Sequence, residues 1–377
     1  MRTRARLRLG VATLLTLAAV AVPGTAQAGE RRHPDPAKRQ LTVMTQNLYL
    51  GSSLTSAITA TTPEAFVGAV ATIYGTAVAT NFPRRAEAIA DTIDAEDPDV
   101  IGLQEVTRWI AQPTVAGPNP PSFDFLAILQ AELAERGLDY RVAGVSENAD
   151  IGPAPLVSPG FGCQPPASAG SVPDCVVTLQ DRDVILVNRD TRHLRVLRSR
   201  SGDYVAQEAI TPPGGTPVSF ARGWVYIDAL FKGKKFRFVN THLEVEGFAA
   251  TQEAQGREFL AGPARTRGAV IATGDFNSAA DPTTTSVPTT TYADLTRRWF
   301  KDAWWVNPGD PGLTCCQNGT LTNPVSQLRT RIDLILTHGP VRARAAHVVG
   351  DTPVAGVVGP PFWASDHAGV VARLRLH

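Results

Sequence analysis

Cysteine is scarce: four residues in a chain of 377. A disulfide scaffold is thereby excluded, and a packed core must supply most of the stability. A surplus of one charge is also missing, since Lys plus Arg number 36 and Asp plus Glu 35. That balance excludes a strongly basic, histone-like nucleic-acid binder. Beyond the first two dozen residues no apolar run is long enough to span a bilayer. There is no internal repeat and no linker separating two cores. What is present, 43% hydrophobic and 19% charged residues, suits a folded chain rather than a disordered one. With 32 glycines and 29 prolines, long connections between regular elements are expected.

The N-terminus reads as an export signal. Arg2, Arg4, Arg6 and Arg8 precede the apolar run from Val11 to Val22, and Ala26-Gln27-Ala28 follows. A basic head, a short apolar stretch and an A-x-A site describe a secretory signal peptide over residues 1–28. Cleavage is expected near Ala28, which places the protein in the extracellular space or periplasm. Residues 29–40 read as a flexible leader. The signal carries four arginines and no acid, so its removal turns the formal charge from +1 to −3. Export permits disulfides. Cys163 and Cys175 bracket a short loop, whereas Cys315 and Cys316 are adjacent. Three pairings remain open, and no spacing resembles a zinc site.

From residue 41 to 377 the pattern alternates strands and helices, so one α/β domain is expected. Strands are read at 41–48, 99–106, 183–188, 218–230, 234–242, 269–276, 331–337 and 367–376. Ala86, Ile89, Ala90 and Ile93 recur at helical spacing, ended by Asp97-Pro98. Phe125, Leu129 and Leu133 mark another helix with Gly137 as its cap. Two more helices are read at 249–261 and 290–300. Several strands are apolar on both faces and need cover on both sides. Irregular stretches are expected at about 107–122, 146–175, 278–289 and 306–328, long enough to serve a site.

Polar residues at the ends of apolar strands carry the chemistry, because side chains there converge at one sheet edge. Asn47 ends the first strand and Glu105 the second. Asn240-Thr241-His242-Leu243 and Gly274-Asp275-Phe276-Asn277 end two more. Arg331-Ile332-Asp333 and Ser365-Asp366-His367 open the last two. Oxygen ligands without thiolates suit a hard cation, Mg²⁺ or otherwise Mn²⁺ or Ca²⁺. Each piece alone is ordinary turn chemistry; six in this order, each at a strand end, are not.

The ordered set TQNL, LQEV, NTHL, GDFN, RID and SDH resembles the endonuclease/exonuclease/phosphatase superfamily of metal-dependent phosphoesterases. The resemblance runs from about residue 41 to 376. It implies a four-layer α/β sandwich: two packed mixed β-sheets flanked by helices, with the site where both sheets present strand ends. It also implies roles. Glu105 would be the main metal ligand, helped by Asn47 and Asp366. Asp275 would orient or deprotonate the attacking water, and Asn277 would position it. His367 would contact the scissile phosphate with Asp333 fixing its tautomer, and His242 would be the second phosphate-facing histidine. Asp181 either orients that second histidine or is a loop carboxylate paired with Arg182. Asp302 matches a recurrent position, read as structural. The implied reaction is in-line attack of water on a phosphodiester, with two imidazolium groups and the metal offsetting the growing charge.

Substrate is less constrained than bond chemistry. A secreted nuclease ranks first, although no cationic run marks a phosphate-tracking stripe; Arg192, Arg195, Arg198 and Arg200 are the nearest to one. A sphingomyelinase or phospholipase C-like enzyme acting on a phospholipid headgroup is the alternative. It would call for exposed aromatics such as Trp304, Trp305 or Trp363, which read more readily as packing. An inositol-phosphate phosphoesterase ranks third. The non-enzyme alternative is a secreted binding domain on the same scaffold. The absence of heptads makes a monomer the default.

Overall fold

In the computed structural model, residues 40–165, 171–211, 218–356 and 358–377 are described. The expected signal peptide 1–28 and the leader, save for its last residue, lie outside them. The chain starts with β1 (Leu41–Asn47), whose seven residues are all buried. Helices α1 (Thr55–Ile58), α2 (Pro63–Ala79) and α3 (Phe82–Glu96) lead to β2 (Val100–Gln104) and β3 (Arg108–Pro113). Then come β4 (Phe123–Asp124), α4 (Phe125–Glu135), and the long strands β5 (Tyr140–Pro155) and β6 (Cys175–Asn188). Next are β7 (Leu194–Asp203), the short pair β8 (Glu208–Ile210) and β9 (Val218–Phe220), then β10 (Gly223–Phe231) and β11 (Lys234–His242). The chain closes with α5 (Ala249–Ala261), β12 (Ala269–Asp275), α6 (Thr291–Arg298), β13 (Lys301–Asp302), β14 (Asp333–His338), β15 (Val341–Val349) and β16 (Gly369–Leu376).

Two mixed sheets result. The first has the order β15-β16-β1-β2-β6-β3-β4 with β5 added on β6, and the second the order β13-β14-β12-β11-β10-β7. Val43, Val100 and Ile185 of the first sheet pack against Val225, Ile227, Phe238 and Ile271 of the second. Outside the first sheet, α2, α3 and α4 bury Ile73, Ile89, Ile93 and Leu129. Outside the second, α5 and α6 bury Phe259 and Leu295. The layers are therefore helix, sheet, sheet, helix, as the family resemblance implied.

The helices form for local reasons. In α3 the stripe Phe82, Ala86, Ile89, Ala90 and Ile93 is buried, and Asp97 stops the helix in the left-handed region. In α4 the Asp124 carboxylate accepts from the amides of Leu126 and Ala127. Between the sheets a polar latch replaces apolar packing. Asn240 donates to the carbonyls of Leu103 (2.8 Å) and Val184 (3.2 Å), while its Oδ1 accepts from Gln104 (2.6 Å). Gly102 gives that latch room, because a Cβ there would sit 2.5 Å from Thr273 Oγ1.

Several stretches differ from their sequence reading. The loop expected at 146–175 begins as the second half of β5, whose alternation is broken by irregularities at Val142/Gly144, Glu147/Asp150 and Ile151/Ala154. β3 lies inside the expected loop 107–122, and α2 and β15 were not read at all. The strand read over 218–230 is two elements, β9 and β10. Cys163 pairs with Cys175, and Cys315 with Cys316. Trp304 and Trp363 are buried and donate to carbonyls, whereas Trp305 is exposed. Among the described residues no single helix is long and apolar enough to cross a bilayer.

Candidate active site

Register brings the strand-end motifs together. β11 and β12 run parallel with His242 opposite Asp275, and β12 and β14 run antiparallel with Asp275 opposite Asp333. Three site residues thus form one row across neighbouring strands. Gly274 is required beside them, because its φ is +151° and a Cβ would run into the carbonyl oxygen of Thr241. From the first sheet, Asn47 at the end of β1 donates to Asp275 Oδ2 (3.2 Å) and accepts from the Tyr49 amide (2.8 Å). Glu105 follows β2 and accepts from the Leu50 amide (2.5 Å). Glu105 and Asn277 both lie in the left-handed region, with φ of 52° and 47°. Such backbone costs energy and clusters where function holds it in place.

Asp275 Oδ2 is the hub. His242 Nε2 lies 3.6 Å from it and His367 Nε2 3.8 Å. The other nitrogen of His367 is held by Asp333 Oδ2 at 2.8 Å, and Asp366 lies 4.0 Å from its Nε2. Asn277 donates to the Leu243 carbonyl and has its Nδ2 3.1 Å from His242 Nε2. Seven of the nine residues singled out from sequence are joined by these contacts, and Glu105 and Asp181 are tied to them by charge. Asp181 accepts from Asn148 (3.2 Å) and acts by its charge on Glu105 and Arg222, while the hydrogen bonds at His242 come from Arg222 and Asn277.

The two histidines differ in charge. Burial acts to lower the pKa of His367, but Asp333, Asp366 and Asp275 together push it well above the usual value, so it is an imidazolium at neutral pH. Burial, then the Arg222 guanidinium, hold His242 well below that value. The expectation of two imidazolium groups therefore fails at His242. Arg222 Nη1 is 3.0 Å from its Nδ1 and already supplies the positive charge there.

Carboxylates exceed cations in this site. Burial, followed by Asp181, raises the Glu105 pKa against the pull of His367. Burial and Asp333 push Asp275 up to about 6. Asp366 reaches about 7, raised by burial and by Glu105 and Asp333, with His367 and Arg85 opposing. Burial and Asp181 lift Asp183 well above the carboxylate range. Buried oxygens of Asp181, Asp183, Asp333 and Asp366 have no hydrogen-bond partner. Orphaned buried carboxylate oxygens of this number fit a hard divalent cation. Ligand atoms of Asp275, Asp333 and His367 lie within 4.8 Å of one another.

Sequence reasoning missed several participants. Arg222 sits between two strands that read as one, so nothing marked it. Arg85 is fully buried and donates to the carbonyls of Leu48, Tyr49 and Ala364, tying the turn after β1 to the Asp366 loop. Its signal was available: a charge on the apolar stripe of α3. Asp302 is structural, accepting from Tyr292, Arg331 and the Trp304 amide.

The pattern of the Endonuclease/Exonuclease/phosphatase family matches residues 44–367. The chain belongs to that family. Its members are phosphoesterases, generally dependent on a divalent metal, and this chain is a phosphoric ester hydrolase. Solved structures share the fold at low identity. A family protein from Leptotrichia buccalis aligns over 89% of this chain and 99% of its own, with TM-score 0.53 and 15% identity. D. rerio TDP2 complexed with a single-strand DNA product aligns over 89% and 98%, with TM-score 0.50 and 14% identity. The Bacteroides thetaiotaomicron mannosyl-6-phosphatase Bt3783 aligns over 89% and 99%, with TM-score 0.50 and 18% identity. No curated protein matches. The shared fold carries different substrates, so it does not choose one.

Proposed function

We propose that this protein is a divalent-metal-dependent phosphodiesterase that attacks phosphorus in line with water. The observation that carries this reading is the buried carboxylate cluster around Asp275 Oδ2, flanked by one charged and one neutral imidazole. Glu105, Asp366 and Asn47 would hold the cation, with Asp275 and Asp333 near enough to share it. When bound, it polarises a phosphoryl oxygen and steadies the leaving oxyanion. Asp275, ionised and held by the Asn277 amide (2.9 Å), takes the proton of the attacking water. Asn277 orients that water. His367, its tautomer fixed by Asp333, presents a charged Nε2–H to the phosphate, and Arg222 supplies a second fixed positive charge beside His242.

A diester suits the site better than a monoester dianion or a polyphosphate, because the surrounding surplus of carboxylates repels each extra negative charge. Within diesters, the β7 arginines give a nuclease little support. β7 is the exposed edge of the second sheet, where Arg198 pairs with Asp228, and charges on an edge strand block edge-to-edge pairing. We further infer export, supported by the N-terminal segment and by the Cys163–Cys175 disulfide. Incubation with DNA, RNA, sphingomyelin and bis-p-nitrophenyl phosphate, with and without Mg²⁺, tests the reading. Mg²⁺-dependent turnover of the synthetic diester is expected. No turnover of any member would favour a binding domain.

A further inference from the structure

An apolar cleft with about 90 Å³ of fillable space opens at the surface, and all fourteen residues lining it are apolar. Phe66 of α2, Trp109 of β3, Leu179 of β6 and Phe220 of β9 form much of its wall. Two of its sides are thinly anchored. α1 contributes Ala57 and Ile58 to the wall yet has no buried residue, and the β8–β9 pair has none either. Its floor is the hydrophobic core itself, left open to solvent where α1 and the β8–β9 pair cover it only thinly, and such an exposed apolar concavity suits a small apolar group.

Three segments run from its wall straight into the catalytic cluster. On β6, Leu179 and Asp181 share one face, and two residues along a strand span only about 7 Å. After β9, Arg222 comes two residues beyond Phe220 and reaches His242. On the third side Trp109 donates from Nε1 to the Leu50 carbonyl (2.7 Å), and the Leu50 amide donates to Glu105. A phosphate seated among Asp275, His367 and Arg222 therefore has the cleft within reach of a short linker.

We propose that the cleft binds the alkyl or acyl chain of the substrate, making the preferred substrate an amphiphilic phosphodiester. This rests on the phosphodiesterase reading above and narrows it to a substrate class. An all-apolar wall offers nothing to a sugar, a base edge or a phosphate, whereas a hydrocarbon chain gains from leaving water there.

The test compares methyl and octyl p-nitrophenyl phosphate, which share the scissile bond and leaving group and differ only in the chain. With Mg²⁺ present, kcat/KM for the octyl ester should exceed that for the methyl ester by at least ~30-fold, as partial burial of seven methylenes allows. Ala57→Trp, which fills the cleft, and Ile58→Gln, which makes its wall polar, should each cut that ratio about tenfold or more. A separate arm measures binding without chemistry: a brominated twelve-carbon fatty acid should quench emission that Trp109→Phe removes. A ratio near one overturns the proposal. So does a ratio untouched by both cleft substitutions, and so does quenching without chain selectivity, which would mark a free fatty-acid site. Efficient DNA hydrolysis with a ratio near one would return the nuclease reading. If neither ester turns over, the phosphodiesterase reading fails by itself, and absent quenching then rejects the cleft as a chain site as well.

Discussion

Asp366→Asn should make the metal-free protein more stable while weakening the enzyme. In the native site Asp366 titrates near 7 rather than the ordinary 3.8, because burial, Glu105 and Asp333 outweigh His367 and Arg85. The folded state thus holds this proton more tightly than the unfolded chain does. Stability is lost as pH rises from about 4 to about 7, and the loss is complete above that window. A roughly thousandfold difference in proton affinity is worth at most ~4 kcal/mol, from ~1.4 kcal/mol per tenfold. Asparagine keeps the shape and removes the charge, but it also takes one of three acids from His367, so a gain of about 2–3 kcal/mol is expected. With an unfolding entropy of about 2.1 cal/mol/K per residue over roughly 340 residues, Tm should rise by about 3–4 °C. The assay is differential scanning calorimetry of chelator-treated protein at pH 7.5 and pH 4.5. The gain should appear at pH 7.5 and shrink at pH 4.5, and Mg²⁺ should raise the Tm of wild type more than that of the variant. An equal loss of Tm at both pH values would refute the idea that surplus negative charge is stored here.

Asp275→Ala should lower kcat on bis-p-nitrophenyl phosphate by at least ~10²-fold with circular dichroism unchanged, as a lost proton-transfer group does; near-wild-type turnover would remove that residue from the mechanism. Arg222→Met should let the His242 pKa rise toward its ordinary value, adding an acidic limb to the pH profile of kcat/KM, and an unshifted profile would show that burial alone keeps His242 neutral. Replacing Cys163 and Cys175 by serine, which opens a loop of sequence separation 12, should cost about 2–3 kcal/mol in a denaturant melt. Turnover should persist in that variant, and an unchanged midpoint would assign the bridge no stabilising role.

The site was legible in sequence wherever a motif sits at the end of a buried strand. Register alone then aligns His242, Asp275 and Asp333, and Gly274 marks the close approach between strands. What escaped depends on contacts between segments remote in sequence. Arg222 acts only because the chain turns between β9 and β10 against His242, a break that the run of apolar residues over 218–230 conceals. The left-handed backbone of Glu105 leaves no mark in residue type, whereas asparagine at 277 is a type that adopts it readily. α2 escaped because its glycines and β-branched residues blur the helical period, although it buries Val70, Ile73 and Tyr74. Asp181 was read from its place before an apolar strand; it lies within β6, accepts from Asn148 and acts by charge on the Arg222 that touches His242, a link no local pattern announces.

The most direct test of the central claim is a titration of chelator-treated protein with Mn²⁺, reading bound metal by electron paramagnetic resonance and turnover of bis-p-nitrophenyl phosphate on the same samples. Turnover should be absent without metal, rise in proportion to bound Mn²⁺, and vanish together with tight binding in Glu105→Gln. Full turnover in the metal-free protein, or tight Mn²⁺ binding undiminished in Glu105→Gln, would contradict the account.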